Sequence, residues 1–360
     1  MQLLGVTLLT FLASCCGENA TVLLTPGDNV QSYLSKAAAG TTFLFAPGTY
    51  RSQGIWSHTS SGKKWVGLLV KQKDLVLQAQ KRRTAIFSGA ITLNSTRDAG
   101  SGLWAANITG FMDNRTSAGA HCTPGWEVCA YRQDLFVNNT ALRRFPHREN
   151  LTVAAGPGWF LDYTSSEAVM NVDPATAVAA GALELSFQSY FLYASPGTNL
   201  TVRGLVIEKI ANPAQTSTCE GADVVDDCEI RWAHGYGASG RIVTNNHIHH
   251  IGQLGGSATQ LAENNTVEFC NYANYTPGWE AGGFKVNRNV DTTFRNNTIR
   301  HNYGNGLWSD GGGLHITYVG NNVTDNAFAG IIHEISYTAT ITSNYVSRNC
   351  WVYAHHYGAW

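Results

Sequence analysis

The chain contains little charge and no excess of either sign. Of its 360 residues, 14% are Asp, Glu, Lys or Arg, and the formal net charge is -1 at pH 7. Proteins that bind nucleic acid neutralise its phosphate backbone with basic patches, so this balance argues against a nucleic-acid partner. It favours neutral ligands over polyanions. Because Cys-x-x-Cys and other zinc-ligand spacings are also missing, we expect no metal held by the cysteines.

An apolar run at the N-terminus extends from Leu3 to Ala13 and is followed by small residues. This pattern predicts a signal peptide over residues 1–20, too short to span a membrane. We therefore expect a secreted, extracellular protein with no membrane span. The segment before Cys15 resembles a bacterial lipoprotein cleavage box, so a lipid anchor at Cys15 is the alternative.

Asn-x-Ser/Thr sequons recur after residue 90, which favours simple secretion and predicts a glycoprotein. They begin at Asn94, Asn107, Asn114, Asn138, Asn150, Asn199, Asn264, Asn274, Asn296 and Asn322.

Six cysteines follow the predicted leader. Cys122 with Cys129, and Cys219 with Cys228, are close enough in sequence to close small loops in an oxidising compartment. We predict both pairs as disulfides. The two remaining cysteines either pair with each other or stay buried as free thiols.

The chain divides into three parts after the leader. Residues 21–90 predict a short helix at Val30–Leu34 and several short strands. Residues 91–192 contain alternating strands joined by connections rich in Gly, Pro and Asn, which predicts an inserted, mostly antiparallel β subdomain resembling a sandwich. Residues 193–360 return to short strands at regular spacing.

The last part contains a repeat that is typical of a solenoid. Each copy has Asn, then a variable residue, then Val or Ile, and the copies begin at Asn246, Asn265, Asn297, Asn321 and Asn344. Asn suits a tight left-handed bend and can stack on the Asn of the next turn. The Val or Ile is expected to fill the interior.

A glycine follows three of these asparagines after nine residues, at Gly255, Gly306 and Gly330. These glycines therefore begin equivalent strands. Since side chains alternate in a strand, Asp310 and Glu334 should both point outward on neighbouring turns, one above the other.

The same alternation after Gly283 places Lys285 in one outer row with Trp308, and Asn287 in the row of the two carboxylates. The turn before Gly283 is nine residues longer than its neighbours. We expect this longer turn, which contains Trp279 and Glu280, to overhang the outer face and to bring Glu280 into a cleft.

Neighbouring parallel strands lie about 4.8 Å apart, so Asp310 and Glu334 should be roughly 5 Å apart. That spacing is typical of retaining glycosidases, in which one carboxylate attacks the anomeric carbon and the other acts as acid and then base. Trp308 beside them is expected to offer a flat apolar surface for a sugar ring.

Three segments together resemble the β-helical glycoside hydrolases of the GH120 β-xylosidase type. They are Trp-Glu-Ala-Gly-Gly-Phe-Lys at 279–285, Gly-Leu-Trp-Ser-Asp at 306–310 and Gly-Ile-Ile-His-Glu-Ile-Ser at 330–336. The start of the chain is similar to right-handed parallel β-helices of the pectate-lyase-like superfold. The resemblance implies an all-β fold, a right-handed parallel β-helix solenoid interrupted by the inserted β subdomain.

The resemblance also implies roles for individual residues. Asp310 would be the nucleophile, Glu334 the acid/base and Glu280 a ligand of sugar hydroxyls. Lys285, Asn287, Trp308 and Trp279 complete the expected substrate-binding set. The expected partner is an oligosaccharide or polysaccharide of plant or cell-wall type, and no cofactor is required.

Two other functions remain open. A polysaccharide lyase on the same fold would use Lys285 as the base that removes a proton next to a uronate carboxyl, with calcium held by Asp310 and Glu334. A non-catalytic solenoid would only bind glycans.

Three further groups of polar residues are expected to be structural. His333 should face the interior, and His247, His249 and His250 fall at a recurring turn rather than in a metal site. Asp223, Asp226 and Asp227 predict a solvated loop with a possible role in binding calcium.

Overall fold

The computed structural model describes residues 20–51, 54–59, 62–112, 121–152, 155–174 and 183–352. The predicted signal peptide therefore lies outside the described residues, apart from Ala20, and so does the sequon at Asn114. No helix in the described part of the chain is long and apolar enough to cross a membrane.

In the first part of the chain, the described residues form one short helix and seven strands. They are α1 (Val30–Leu34), β1 (Thr21–Leu24), β2 (Thr42–Phe45), β3 (Gly48–Tyr50), β4 (Ile55–Thr59), β5 (Gly62–Val70), β6 (Val76–Ala79) and β7 (Ala85–Ser88). The helix has the predicted bounds. Its N-cap is Asn29, whose side chain accepts a hydrogen bond from the backbone N–H of Ser32.

The described residues of the inserted subdomain form nine strands and two short 3₁₀ helices. The strands are β8 (Ala90–Thr92), β9 (Arg97–Gly100), β10 (Leu103–Asn107), β11 (Leu135–Val137), β12 (Thr140–Ala141), β13 (Arg143–Arg144), β14 (Gly158–Asp162), β15 (Glu167–Met170) and β16 (Leu183–Ser186), and the 3₁₀ helices are Glu127–Ala130 and Arg148–Asn150.

The main coil contains the remaining strands. They are β17 (Tyr190–Ala194), β18 (Thr201–Arg203), β19 (Val206–Ile210), β20 (Cys219–Glu220), β21 (Val224–Asp226), β22 (Glu229–Ala233), β23 (Tyr236–Thr244), β24 (His247–Ile251), β25 (Leu254–Glu263), β26 (Thr266–Glu268), β27 (Gly282–Asn287), β28 (Thr293–Arg295), β29 (Thr298–Arg300), β30 (Asn305–Asp310), β31 (Leu314–Val319), β32 (Asn322–Thr324), β33 (Ile331–His333), β34 (Tyr337–Thr342) and β35 (Tyr345–Ser347).

Parallel sheets run along the coil, and each turn adds one strand to each of them. One sheet has the order β3-β7-β19-β22-β24-β26-β29-β32-β35. A second follows β1-β2-β6-β18-β21-β23-β25, and from β25 it divides into the rows β27-β30-β33 and β28-β31-β34. The long strand β25 turns the corner, because its first half pairs with β27 and its second half with β28.

The interior of the coil is filled by stacked aliphatic side chains, as the repeat predicts. Ile230, Ile248, Val267, Ile299 and Val323 occupy the same register position on successive turns, and all are buried. Burying each such side chain contributes about 2 kcal/mol.

A ladder of buried asparagine amides runs parallel to this stack. Asn246, Asn265, Asn297 and Asn321 each donate from the side-chain N–H to the amide oxygen of the ladder asparagine on the next turn, ending at Asn344, at 2.9–3.0 Å. Each backbone N–H donates to the same oxygen at 2.9–3.0 Å. A second ladder joins Asn302, Asn326 and Asn349. The predicted stacking is confirmed.

The left-handed bend, however, falls one residue earlier than predicted. Asn245, Asn264 and Asn296 have positive φ angles of 59°, 56° and 55°, and each directly precedes a ladder asparagine. The bend therefore turns the chain, and the ladder residue after it points its amide into the interior.

One predicted disulfide is present and the other is wrong. Cys122 and Cys129 are bonded, whereas Cys219 and Cys228 are buried free thiols. Cys219 lies in β20, and Cys228 follows β21 in a different sheet, where its thiol donates to the carbonyl oxygen of Asp226 at 3.3 Å. Burial raises the pKa of Cys228 to about 12. Both thiols lie in the buried interior of the coil, but they are not bonded to each other.

Cys270 and Cys350 do not pair either. Cys270 is a buried free thiol and Cys350 is an exposed one.

The inserted subdomain consists of two small sheets that pack on each other. Their orders are β13-β14-β15-β10-β9 and β12-β11-β16-β8, and every pair except β13 with β14 is antiparallel. A single buried cluster includes Trp159 and Met170 from the first sheet and Leu135 and Leu185 from the second. This is a sandwich-like arrangement.

The predicted C-terminal boundary of the insert at residue 192 is too late. Its last strand ends at Ser186, and Tyr190–Ala194 already pairs in parallel with β5 and β20 of the coil. The insert is fastened to the coil by a buried ion pair between Glu184 and Lys209.

We predict that Asn297→Ala lowers the free energy of unfolding by about 3 kcal/mol, because it leaves two buried donors of Asn265 without an acceptor. Urea denaturation of protein produced without glycans measures the change. Asn322→Ala is the matched control, since Asn322 is exposed, and should change stability by less than about 0.5 kcal/mol. Equal effects of the two substitutions would contradict a stabilising role for the ladder.

Candidate functional site

A column of glycines aligns the strands that carry the candidate site. A Cβ atom on Gly255, Gly283 or Gly306 would lie 2.4–2.7 Å from the carbonyl oxygen of the glycine on the next turn. Only glycine therefore fits at these positions. The column confirms the predicted alignment of Gly255, Gly306 and Gly330 at the start of equivalent strands.

The strand register that follows is also confirmed. Lys285 pairs with Trp308, and Asn287 pairs with Asp310. Trp308 pairs in turn with Ile332. The backbone N–H of Glu334 donates to the carbonyl of Ser309 at 2.9 Å, which continues the same register beyond β33. We call the outward side of β27, β30 and β33 the site face.

A buried lysine is the centre of the site face. Lys285 is only 4% exposed. Its Nζ lies 2.8 Å from Glu280 Oε1 and 2.8 Å from Asp310 Oδ2. The ammonium thus neutralises part of the charge of two carboxylates that would otherwise repel each other.

Glu280 is held by three neighbours. Besides Lys285, Asn287 donates to its Oε1 at 2.9 Å, and the hydroxyl of Tyr236 donates to its Oε2 at 2.9 Å. Burial, followed by the nearby Glu280 carboxylate, raises the pKa of Tyr236 well above its ordinary value. The hydroxyl therefore keeps its proton and remains a donor. The structure brings Glu280 to the site face, as the long turn predicts.

Trp308 lies in the predicted row, but its ring is not an open platform. Lys285 Nζ sits 3.5 Å from the ring centroid, and the residue is 4% exposed. The expectation that a sugar packs on this ring is therefore wrong in this structure, because a long side chain one turn away covers the ring. Trp308 instead donates from Nε1 to Glu334 Oε2 at 3.1 Å.

Asp310 and Glu334 differ in their surroundings. Asp310 is half-buried, and its Oδ1 accepts the backbone N–H of Gly311 while its Oδ2 meets Lys285. Glu334 is exposed and is held through the Trp308 indole. One carboxylate is thus fixed within an ionic cluster, and the other faces solvent.

His333 points inward, as predicted. Its Nδ1 lies 2.6 Å from the Ser309 hydroxyl on the neighbouring turn, and its Nε2 is buried without a hydrogen-bond partner in the described structure. Because the ring lies beneath the site face, its role is to support β30 and β33.

Trp279 belongs to the wall of the site and lies apart from the ionic cluster. Its ring stacks on His121 of the insert at 3.7 Å between centroids. The bonded pair Cys122 and Cys129 joins a buried cluster with Tyr275 and Ala281 of the same turn. The insert therefore braces the segment that ends in Glu280.

Tyr236 was missed by the sequence reasoning, although the glycine column contains a signal for it. Tyr236 pairs with Leu254, which pairs with Gly282, which pairs with Asn305. Extending the alignment from Gly255 back to Gly237 would have placed Tyr236 at the edge of the site face.

The remaining polar candidates lie elsewhere. His247 meets Glu268 at 2.9 Å and His249 meets His250 at 2.8 Å on the outer side of β24. Asp223, Asp226 and Asp227 pair with arginines. Within the described residues, no group of three or more His, Cys, Asp or Glu side chains is arranged to hold a metal ion.

Comparison with known proteins decides the fold. A family described as right handed beta helix region matches residues 188–358. This chain is a right-handed parallel β-helix. No curated protein matches it.

Among solved structures, the complex of XylC with xylose is similar to this β-helix, with 13% identity over 89% of this chain and 66% of that chain and a TM-score of 0.63. The AlgE6 A-module, a mannuronan C-5 epimerase of Azotobacter vinelandii, is 13% identical over 89% of this chain and 72% of that chain, with a TM-score of 0.44. A structure described as a glycoside hydrolase is 10% identical over 91% of this chain and 96% of that chain, with a TM-score of 0.40. At these identities the similarity concerns the fold.

We predict that Lys285→Met lowers the free energy of unfolding by about 3 kcal/mol at neutral pH, because two largely buried carboxylates lose the cation between them. Chemical denaturation measures the loss. The control is Lys71→Met, since Lys71 is exposed and its replacement should have little effect. Adding Glu280→Gln to Lys285→Met should restore part of the lost stability. No difference between the two lysine variants would contradict this account of the cluster.

Proposed function

We propose that this β-helix is a carbohydrate-active enzyme, and that it is a retaining glycoside hydrolase with Asp310 as nucleophile and Glu334 as acid/base. The observation that supports this most directly is the register of β27, β30 and β33, which puts the two carboxylates at equivalent positions on adjacent turns. Adjacent parallel strands are about 4.8 Å apart, close to the separation of about 5 Å that double displacement needs.

The surroundings of the two acids support different roles. A nucleophile must be a fixed carboxylate, and Asp310 is held from both oxygens by Gly311 N–H and the Lys285 ammonium. An acid/base must exchange its proton with substrate and then with water, and Glu334 is exposed with one oxygen held by Trp308.

The proposed reaction has two steps. Glu334 donates a proton to the leaving oxygen as Asp310 attacks the anomeric carbon, which forms a glycosyl ester and releases the alcohol. Glu334 then takes a proton from water, which attacks the same carbon and frees Asp310. Neither step calls for a cofactor.

Glu280 and Asn287 are the proposed ligands of sugar hydroxyls. Both oxygens of Glu280 already accept hydrogen bonds, but a carboxylate has about four acceptor positions, so further hydroxyls can bind. Lys285 acts on the substrate indirectly, by holding Glu280 and Asp310 in place. The xylose in the XylC complex supports a xyloside as the first substrate to test.

The lyase alternative would need Lys285 as the base. A general base must present an unprotonated nitrogen to the substrate. Lys285 Nζ is instead enclosed by two carboxylates and the Trp308 ring. These contacts favour the hydrolase.

We further propose that the protein is secreted. The Cys122–Cys129 disulfide supports an oxidising compartment. The sequon asparagines in the described part of the chain are exposed, except Asn274, which is half-buried. A glycoprotein would present its sugars at such positions.

We predict that Asp310→Gly and Glu334→Ala each lower kcat on an aryl β-xyloside by at least about 10³-fold. Azide should restore turnover in both variants. With Asp310→Gly it attacks from the opposite face and gives an α-glycosyl azide, and with Glu334→Ala it attacks the glycosyl-enzyme and gives a β-glycosyl azide. Product stereochemistry by NMR distinguishes the two roles.

Asp291→Ala is the control, because Asp291 has a 77% exposed side chain and should leave kcat unchanged. Hydrolysis at the unaltered rate in both acid variants would overturn the proposal. With a polyuronate as the substrate, an unsaturated, ultraviolet-absorbing product whose formation stops with chelator would establish the lyase instead. A non-catalytic solenoid would bind glycans without releasing any product, and its binding would not depend on the two acids.

A further inference from the structure

A second cavity lies between the insert and the coil, away from the site face. Its volume is about 300 Å³, at the lower end of ligand pockets and large enough for about one sugar ring. Trp232, His250 and Phe269 line it on the coil side, and Trp126, Arg143 and Asp134 line it on the insert side. We call it the insert cavity. It shares none of these residues with the proposed catalytic site.

The coil side of the insert cavity is a wall of aromatic rings. Trp232 lies 4.4 Å from His250, and His250 lies 5.1 Å from Phe269, between ring centroids. All three have positive φ angles, between 52° and 56°, at the same bend of successive turns. The repeat of the coil therefore places one ring per turn facing the insert. The planes of neighbouring rings are only 36° and 31° apart, so the rings stack on one another along the coil and present mainly their edges to the cavity.

An arginine stands at the mouth of the insert cavity. Arg143 is exposed, and its guanidinium lies 4.8 Å from the Trp126 ring and 4.9 Å from the Phe145 ring. It has no carboxylate partner among the described residues. Stacking fixes the plane of the guanidinium and leaves its N–H edges free, which suits a bidentate carboxylate.

The neighbouring Arg144 is used differently. It donates to the carbonyl of Gln133 at 3.0 Å and to the Tyr163 hydroxyl at 3.1 Å. It therefore supports the wall of the cavity, and Arg143 is the cation available to a ligand.

Acceptors for hydroxyl groups lie deeper in the cavity. Asp134 is buried, and its Oδ2 accepts the Tyr272 hydroxyl at 2.8 Å and lies 3.4 Å from His234 Nδ1, while its Oδ1 has no partner within the described structure. His250 Nε2 is likewise without a described partner. Burial lowers the pKa of His250 to about 4, so the ring is neutral near pH 7.

We propose that the insert cavity binds a uronate residue of an acidic oligosaccharide. The sugar ring lies against the ring edges of the aromatic wall, its hydroxyls donate to Asp134 and His250, and its carboxylate pairs with Arg143. In this orientation the ligand carboxylate lies away from the Asp134 carboxylate. A flat aromatic acid would satisfy Arg143 and the rings but would leave the acceptors at the closed end without donors.

The test is isothermal titration of the full chain with methyl β-D-glucuronide, methyl β-D-glucoside and benzoate. We expect the glucuronide to bind about tenfold more tightly than the glucoside and than benzoate, since a bidentate arginine contact is worth about a factor of ten. Arg143→Gln should remove that preference, and Phe269→Ala should weaken both sugars. Arg295→Gln is the control, because Arg295 is exposed and lies elsewhere on the coil.

Several outcomes would overturn the proposal. They are no binding of the glucuronide at 50 mM, equal binding of glucoside and glucuronide (roughly the same Kd), tighter binding of benzoate, and unchanged binding by Arg143→Gln. Titration of Asp310→Gly separates this site from the catalytic one, since binding in the insert cavity should be unaffected there. Binding in the insert cavity is thus tested independently of the glycosidase activity.

Discussion

The hydrogen bonds between buried asparagines along the coil axis are the constraint on which the other features depend. Each amide of the ladder accepts and donates across one turn, so a turn displaced by a single residue would leave buried donors without acceptors. The ladders start at Cys228 and Cys270, whose backbone N–H groups donate to Asn246 and Asn302. From there onward the register of every strand is set, including the register that stacks the site-face residues.

The site itself depends on both the coil and the insert. The coil supplies Lys285 and Asp310 from adjacent strands. The insert supplies no residue of the ionic cluster, but it packs through His121 and the Cys122–Cys129 loop against the turn that ends in Glu280. Next to that contact, the same subdomain borders the insert cavity, which Cys129 also lines. One inserted element thus borders both cavities of interest.

Features that follow from the period of the coil repeat could be predicted from the sequence. Features that depend on contacts between side chains of neighbouring turns could not. The nine-residue spacing from Asn to Gly predicts that Asp310 and Glu334 lie in one row. Side chains alternate strictly along a strand, and the column of glycines allows no shift of strand register. The spacing does not say where a long side chain ends, so it could not predict that the Lys285 ammonium covers the Trp308 ring. It also contains nothing about the geometry between two thiols, and Cys219 and Cys228, which were predicted to pair, are free. The insert was predicted as a mostly antiparallel β subdomain, but its contacts with the coil were not predicted.

The column of glycines on the site face limits which parts of the chain can vary in sequence. These glycines cannot be replaced without a clash between turns. The connection between β26 and β27, in contrast, makes its turn nine residues longer than the neighbouring turns. Substrate specificity can therefore change without a change of fold. Exchanging the segment 271–281 for one of another length or composition would alter the residues that border the cleft and leave the strands of the coil in place.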